Sequence, residues 1–502
     1  MLSPMRRLRL LTVAVVSAAG FSTVLPAVQL TQTELTTIYQ QAADRAAQFT
    51  PNPFVIAIVD RDGQVLLAHR AATGAAVTSS DPAYAIAVSK AGTAVFLSSN
   101  QEAFSSRTAG FIIQQHFPPR VNNRPPGPLV GVGFSNMAFS DVNFFRDLFG
   151  LRIAGTRLYG SPGGVPIYKG GELVAGIGVT GDGTEQEDAS ITKADTDEAI
   201  ALAGQIGFAP AAAIYGSRVT IDGIRVPYVA SPVRRAPISV LAPAPVPAPP
   251  VPPAPVVWPT DTLGGVTGEV RAAIIDDPLA TGPDLSRHTI NGEARLTASE
   301  VTAIISKAAA RAKITRAGIR LPAGKAAQVF ITVVNNPDLA GEAPEVLGTF
   351  RTPDATIFSW DVSVQKARTA VFFSTHTRAY SCRTVGFLAQ SMYPPGISGR
   401  PPGPYNGLQE TYSGPLLTGT GTPNSALPNG ITIFPGGFPL YRNGVMIGAI
   451  GVSGDGIDQD DLIAASGTDG FLAPGPIRAD TTVYLGARLP YAKFPRDPLL
   501  RR

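Results

Sequence analysis

Residues able to do chemistry are few in this chain, and their spacing narrows them further. Gly176-x-Gly178-x-x-Gly181 formally satisfies a dinucleotide fingerprint, in which glycines let a pyrophosphate approach the backbone at a helix N-terminus. The matching stretch later in the chain reads Ala449-x-Gly451-x-x-Gly454, and Asp182 follows the third glycine where a pyrophosphate would need neutral or positive ground. The first two glycines also fall inside a predicted strand, where glycine permits close backbone approach in a covered sheet, so nucleotide binding is set aside. Two acidic turns follow, Asp182, Glu185, Glu187 and Asp188 matching Asp455, Asp458, Asp460 and Asp461. Clustered oxygens could hold a hard cation, but EF-hand spacing is absent and acidic residues ahead of a helix are accounted for by its positive N-terminal end. No metal site is assigned. Ser453 sits in Gly451-x-Ser453-Gly454 without the second spacing of a nucleophile elbow, and no histidine is placed to serve it, so no catalytic residue is assigned either. The single cysteine, Cys382, cannot make an internal disulfide and reads as a small buried residue.

Those matched motifs belong to a larger pattern, because the chain says nearly the same thing twice. The stretch from Gly163 to Asp188 returns from Gly436 to Asp461, KAGTAVF (Lys90 to Phe96) returns as KARTAVF (Lys366 to Phe372), and FSSRTAGF (Phe104 to Phe111) as YSCRTVGF (Tyr380 to Phe387). RPPGP occurs at Arg124 to Pro128 and again at Arg400 to Pro404. From the lysine through RPPGP the spacing between copies is constant, which marks a duplicated domain. The same register pairs His376 with Asn100, His116 with Met392 and Cys382 with Ser106. His69 and His288 likewise find no histidine opposite, so every histidine is written once.

The elements that must position these residues are legible in both copies. Thr31-x-x-Glu34 and Thr297-x-x-Glu300 are capping boxes ahead of apolar series at helical spacing, Leu35, Ile38, Ala42, Ala46 and Phe49 in the first and Val301, Ile304, Ile305 and Ala308 in the second. A strand from Phe54 to Val59, the turn Asp60 to Gly63, and a return strand through Leu66 and Leu67 follow. Asp81-Pro82 predicts an N-cap and first helical turn for a helix through Lys90 and Phe96. A helix is expected from Glu102 to Gln115, then a Pro/Gly-rich loop, a hairpin of Val165 to Tyr168 with Leu173 to Val179, and a closing helix from Asp195 to Ile206. Helix, hairpin, helices, hairpin, helix describes an α+β domain with an antiparallel sheet covered by helices.

Composition bounds the rest. With 502 residues about two to four domains are expected, and 44% hydrophobic content suffices for ordinary cores. Charged residues make up 16% and the net charge is +4, without basic runs, so nucleic acid is not an expected partner. Arg6, Arg7 and Arg9, the apolar run from Leu10 to Val16 and the small residues Ser17 to Ala19 read as an export signal, which places the mature protein in the periplasm or outside the cell, with no stable membrane span after cleavage. The run PAPVPAPPVPPAPVVWP from Pro243 to Pro259 excludes helix and central strand. As a polyproline II spacer it would span roughly 45 to 50 Å. The expected organisation is a signal at 1–27, a first domain at 28–230, a linker at 231–262, a second domain at 263–490 and a tail at 491–502.

Lys366-Ala367-Arg368-Thr369-Ala370, the GG-x-P hairpin with its glycine turn, and Gly448-Ala449-Ile450-Gly451-Val452-Ser453-Gly454 before a last helix resemble the GlcG/HbpS-like, or haem-degrading-domain, family. The resemblance covers most of both copies. It implies a profilin-like fold of α/β/α layers and a tendency to form oligomers, and it brings haem into view as a cofactor, since relatives include haem-binding extracellular proteins and a domain attached to a corrinoid adenosyltransferase. A histidine-ligated haem site is not encoded in duplicate. His116 could serve one site, against its reading as a surface residue at a helix end. Thr93 and Thr369, beside Lys90, Lys366 and Arg368, are candidates for a cleft whose cations would neutralise propionates, against their reading as a helix surface packed at a subunit interface. Two functions follow as expectations. One is an exported tandem haem- or tetrapyrrole-binding protein assisting haem uptake, sensing or breakdown. The other is a non-catalytic interaction module whose copies pair as an intramolecular pseudo-dimer, with higher homo-oligomers built from it.

Overall fold

In the computed structural model Thr31 and Glu34 close the start of helix α1 (Gln32–Ala46) reciprocally. Thr31 Oγ1 accepts from the Glu34 amide at 3.2 Å and the Glu34 carboxylate accepts from the Thr31 amide at 2.7 Å. Thr297 and Glu300 repeat both bonds at the start of the equivalent helix of the second copy, at 3.3 and 2.9 Å. The structure describes residues 28–493 apart from 115, 122–123, 125–126, 130–157, 186–189, 231–256, 319, 323, 410 and 412–423. The export signal, most of the linker and of the first long loop, and Glu187 and Asp188 lie outside the described residues.

The first copy runs α1, β1 (Val55–Asp60), β2 (Val65–Arg70), α2 (Pro82–Leu97), α3 (Ser106–Ile112), β3 (Gly164–Lys169), β4 (Glu172–Thr180) and α4 (Thr196–Gly204). Its strands form an antiparallel sheet in the order β2-β1-β4-β3. Strand alternation sorts the core: Val55, Ala57 and Val59 face α2, while Ile56 and Ile58 join Leu35, Ile38 and Ala42 of α1 and Ile200 of α4. The result is three layers, helices on both faces of one sheet. Each fully buried leucine or isoleucine of these layers contributes about 1.5–3 kcal/mol. The helix expected from Glu102 to Gln115 is shorter, because Ala103 forms a parallel bridge with Tyr215 and Ser105 becomes the N-cap. Phe49 lies beyond the end of α1 and packs against the α1 core from the following turn.

Beginning within the last residues of the expected linker, β5 (Thr260–Leu263) and β6 (Val266–Ala272) form a hairpin that precedes the second copy proper, α5 (Ala298–Ile314), β7 (Val329–Asn335), β8 (Val346–Arg351), α6 (Phe358–Phe372), α7 (Cys382–Leu388), β9 (Gly437–Arg442), β10 (Val445–Gly454) and α8 (Ile457–Gly467). The hairpin extends the sheet to six strands, β9-β10-β7-β8-β6-β5. Among the described residues no helix is long and apolar enough to cross a membrane.

The repeated Ser-x-Arg-Thr motif holds each copy closed. Ser105 caps α3, its hydroxyl bonds the Tyr228 carbonyl, and Thr108 Oγ1 donates to the Pro227 carbonyl at 2.6 Å. Between them Arg107, fully buried, binds Glu198 of α4 at 2.8 Å and the carbonyls of Ser190 and Lys193 at 2.8 and 3.0 Å. Ser381, Thr384 and Arg383 do the same to Tyr491, Pro490 and Asp461. One short helix thus ties the closing helix and the last extended segment of its copy together.

The copies also pack against each other. Val95, Phe96 and Leu97 at the end of α2 share one apolar cluster with Phe330, Phe358, Trp360 and Val362. Asp62, in the β1–β2 turn, accepts from Arg351 at 2.9 Å and from Arg271 of β6 at 3.1 Å. Burial alone would raise the Asp62 carboxyl, but the two guanidiniums hold it well below the usual carboxylate range. Trp258, near the end of the linker, stands edge-on to Trp360 at 5.6 Å, with the Arg271 guanidinium 4.1 Å over its ring.

Replacing Arg107 by alanine leaves Glu198 buried without its counter-charge, and urea denaturation is expected to show a loss of ~3–5 kcal/mol. A loss near that of an ordinary surface substitution would mean that Arg107 does not hold α4.

Candidate functional site

The duplicated lysines point inward. Lys90 of α2 and Lys366 of α6 are 0% and 1% exposed. Lys90 Nζ donates to Asp197 Oδ2 at 2.8 Å and is paired with Glu185 at 2.8 Å. Lys366 Nζ donates to Asp460 Oδ2 and to the Val452 carbonyl, both at 2.8 Å. Glycines make this approach possible. Gly163 and Gly436 adopt φ of +117° and +116°, and a Cβ on either would lie 2.8 or 2.9 Å from the Cβ of the aspartate that meets the lysine. At Gly164 and Gly437 a Cβ would stand 2.1 and 2.4 Å from the carbonyl oxygen of that same lysine. Gly178 and Gly451 are pressed against the backbone of α2 and α6, so the apparent dinucleotide fingerprint is a helix-on-sheet contact.

The lysines correct the pairing of the acidic turns. By their letters Glu187 and Asp188 match Asp460 and Asp461, yet the residues that meet Lys90 and Arg107 are Asp197 and Glu198 on α4, as Asp460 and Asp461 on α8 meet Lys366 and Arg383. The physical reason is the route between strand and helix. In the second copy α8 starts at Ile457 directly after β10 ends at Gly454, whereas in the first the chain passes from Thr180 to Thr196 before α4 begins. The cue in the sequence is Asp195, whose side chain caps α4 by accepting from the Glu198 amide at 2.8 Å.

Around Lys90 the charges are unequal. Ligand atoms of Asp182, Glu185 and Asp197 lie within 4.8 Å of one another, and the lysine ammonium stands where a cation would bind such a group. Burial works against the ammonium, but Asp197 and Glu185 outweigh it and hold the Lys90 pKa above its usual value. Burial, with Asp182 and Glu185 adding to it, pushes the Asp197 carboxyl up to about 7. Burial likewise lifts Asp460 to about 6 against the pull of Lys366.

The remaining candidates sit on the same helices and hold loops. Thr93 is fully buried, donates to the Ser89 carbonyl at 2.8 Å and accepts from the Tyr159 amide at 2.7 Å. Thr369 accepts from the Thr432 amide at 3.2 Å, and Arg368 binds Asn429 Oδ1 and the Pro344 carbonyl, each at 3.0 Å. Both therefore fix the segment that leads to Phe434. That phenylalanine lines a cavity of about 70 Å³ with Leu129, Phe358, Val362 and Ile457, and Lys366 and Asp460 lie at its polar end. Asp460 Oδ1, buried, has no hydrogen-bond partner among the described residues. Leu129 and Pro128 come from the RPPGP loop of the first copy, so the cavity is closed by both copies. Sequence reading brings Lys366, Arg368 and Thr369 together correctly on one helix, and misses Asp197, Asp460 and Phe434 as their partners.

His116 lies apart from this cavity's lining, exposed, with Nδ1 bonded to the Arg124 carbonyl at 2.9 Å. His288 Nε2 bonds the Gly282 carbonyl at 2.8 Å and His376 Nδ1 accepts from the Met446 amide at 3.1 Å. His69 is buried edge-on to Tyr39, and burial lowers its pKa. Cys382, also buried, has its thiol raised far above the usual value by burial and directs Sγ to the Lys366 carbonyl at 3.1 Å.

The Asp197 shift gives a pH dependence with a definite sign. A carboxyl whose folded pKa is raised contributes stability fully present below its unfolded value, near 3.8, and lost as pH rises through about 7. Unfolding free energy measured across that window is expected to fall with rising pH, and Asp197→Asn is expected to flatten the slope. An unchanged slope in the variant would assign the dependence to other groups.

Comparison with known proteins follows the same two-copy outline. The family described as Haem degrading protein HbpS-like matches residues 30–197 and 296–469. Corrinoid adenosyltransferase PduO of Salmonella typhimurium is 30% identical over 116 residues, 23% of this chain and 26% of that protein. An uncharacterized 15.0 kDa protein in the dhaT-dhaS intergenic region of Citrobacter freundii is 51% identical over 41 residues, 8% of this chain and 29% of its own length. The chain thus spans less than a third of the length of these curated relatives. Among solved structures, a PduOC:heme complex is 22% identical and covers 36% of this chain and 98% of its own, with a TM-score of 0.24. HbpS is 23% identical, covering 38% of this chain and 97% of its own, with a TM-score of 0.22. With both copies matched along most of their length, this chain belongs to the HbpS-like family and carries its domain twice.

Proposed function

We propose that this protein binds a tetrapyrrole, haem foremost, and does so outside the cytoplasm. The observation that supports it most directly is the family match over both copies, in a family described as haem-degrading and with a relative solved as a heme complex. The leader of Arg6, Arg7, Arg9 and Leu10 to Val16 supports export.

The cavity of the second copy fits part of such a ligand. Phe358, Val362, Phe434 and Ile457 offer apolar contact to a flat macrocycle, and Lys366 stands where a carboxylate could replace Asp460 as its partner. Arg368 and Thr369 take part by holding the wall that carries Phe434, and Lys90 and Thr93 have the same places in the first copy. At about 70 Å³ the closed cavity is smaller than the ring, so binding displaces the Pro128–Leu129 turn. None of the four histidines lines this cavity. The residues present therefore fit the ring and its carboxylates, and iron ligation by histidine is not part of the cavity reading. His116 remains a separate surface candidate, its Nδ1–carbonyl bond being the kind that orients a ligating imidazole.

Haemin titration of the mature protein is expected to give a saturable Soret shift, and metal-free protoporphyrin IX is expected to compete for the same site. Ile457→Asp, which adds charge at the cavity without disturbing a buried core, is expected to weaken binding at least about tenfold, whereas His116→Ala leaves it unchanged. Absence of a saturable shift at micromolar haemin would overturn the proposal, and loss of the shift in His116→Ala alone would move the site to the surface of the first copy.

A tandem interaction module is the second reading, favoured by the apolar cluster shared between the copies. Separately expressed halves are then expected to associate on mixing, and two monomers that ignore each other would count against it.

A further inference from the structure

The first copy holds the cavity beside Lys366 at two places. Pro128 and Leu129 lie over it. The second tie runs through Asp455, whose neighbours in the chain, Ser453, Gly454, Gly456 and Ile457, line the cavity. Asp455 Oδ2 accepts from the Gln328 amide at 2.8 Å, and Oδ1 meets Arg320 Nε at 3.1 Å. Arg320 in turn reaches the first copy. It donates to the Ser98 carbonyl at 2.8 Å, and its own carbonyl accepts from Ser99 Oγ at 3.0 Å. One guanidinium therefore links the wall of the cavity to the residues that follow α2.

That guanidinium faces more than one acid. Glu102, from the same end of the first copy as Ser99, lies against both Asp455 and Arg320 of the second. Glu102 Oε2 and Asp455 Oδ1 are buried and have no hydrogen-bond partner among the described residues. The other charged and titratable groups around them are matched. Asp354, 3.8 Å from Arg320, is ion-paired with Arg61, the Tyr168 hydroxyl donates to the Ser99 carbonyl at 2.7 Å, and Lys366 holds Asp460. What the cluster lacks is a hydrogen. A proton on Glu102 removes one of two neighbouring negative charges and supplies a donor where two oxygens have none. We infer that a protonated Glu102 latches the first copy onto the wall of the second copy's cavity, and that loss of this proton loosens the joint and admits the ligand. The inference rests on the tetrapyrrole reading for the identity of that ligand and for nothing else.

The sign of the dependence follows from the docked state. Burial, with Asp455 adding to it and Arg320 opposing, lifts Glu102 from 4.5 to about 7, and burial lifts Asp455 to about 6. Both groups acting on Glu102 belong to the other copy. A carboxyl raised by docking favours the docked joint fully below its ordinary value, and that contribution is lost as pH rises through about 7. The cavity is thus closed in mild acid and more accessible above neutrality.

The joint carries its own probe, because Trp258 and Trp360 are the two tryptophans of the chain and both are buried in it. Acrylamide quenching of their fluorescence, with no ligand added, is expected to rise at least about twofold from about pH 5.5 to about pH 8.5. Haemin entry followed by stopped flow is expected to accelerate at least about threefold from about pH 6 to about pH 8.5. Glu102→Gln carries the hydrogen at every pH, so its quenching is expected to stay low throughout. Glu102→Ala has no proton to lose and is expected to give a flat quenching profile, with native circular dichroism in both variants. Asp460 titrates inside the cavity and adds a dependence common to all three proteins, so the difference between their haemin profiles is the quantity read. Quenching that ignores pH overturns the inference, as does a rise that persists in both variants, or a haemin profile that is the same with and without Glu102. Quenching that follows pH as expected while haemin binds at no pH upholds the latch and overturns the tetrapyrrole reading.

Discussion

A lysine ammonium without access to water has to be met by a carboxylate, and each copy of this protein is arranged around that requirement. The Coulombic gain of such a pair is set against desolvation of both ions, and removing one partner typically costs ~3–5 kcal/mol. Lys90 with Asp197 and Lys366 with Asp460 therefore dictate where α4 and α8 must lie against the helix on the other side of the sheet. The glycine pairs ahead of β3 and β9 follow from it, because a side chain at Gly163 or Gly436 would occupy the space where aspartate and lysine meet. The neighbouring arginine of the Ser-x-Arg-Thr motif repeats the device one residue further along the closing helix, at Glu198 and Asp461.

Duplication kept that arrangement and let its surroundings diverge. In the first copy the acidic turn stays with the lysine, Glu185 adding a second carboxylate. In the second, Asp458 is drawn away by Arg383 at 2.6 Å and by Lys493, and the Val452 carbonyl takes the second place on Lys366. An apolar cavity opens beside the less crowded pair, and the loop of the other copy closes over it. The same ion pair thus serves as a charged cluster in one copy and as the polar end of a pocket in the other.

The joint between copies combines two kinds of interaction that act at different ranges. The apolar cluster around Trp360 and Phe358 supplies the non-directional part. Direction comes from charge: Asp62 between two guanidiniums, and Arg320, which donates to the Ser98 carbonyl at 2.8 Å and meets Asp455 at 3.1 Å. Glu102 lies close enough to Asp455 that burial and this second carboxylate lift it to about 7. The joint therefore sets two carboxylates, Glu102 and Asp455, against the one guanidinium of Arg320.

What the chain determined locally was legible without a structure. Capping at Thr31, Thr297 and Asp81, the two hairpins, and the glycines of the covered sheet depend on dihedral preferences and hydrogen bonds spanning a few residues. The fold class followed from the order of those elements, and the repeated lysine, arginine and threonine marked the structural centre of each copy. Tertiary structure alone decided their partners. Lys90 is separated from Asp197 by 107 positions that include α3, a long loop and the β3–β4 hairpin, and an intervening insertion shifted the helix away from the letters that matched it. It also decided that α3 stops short, because Ala103 is bridged to Tyr215 far along the chain, and that the copies meet through unlike faces. Contacts between distant segments depend on where whole elements are carried by packing, and a motif records the residue that needs a partner without recording which element brings it.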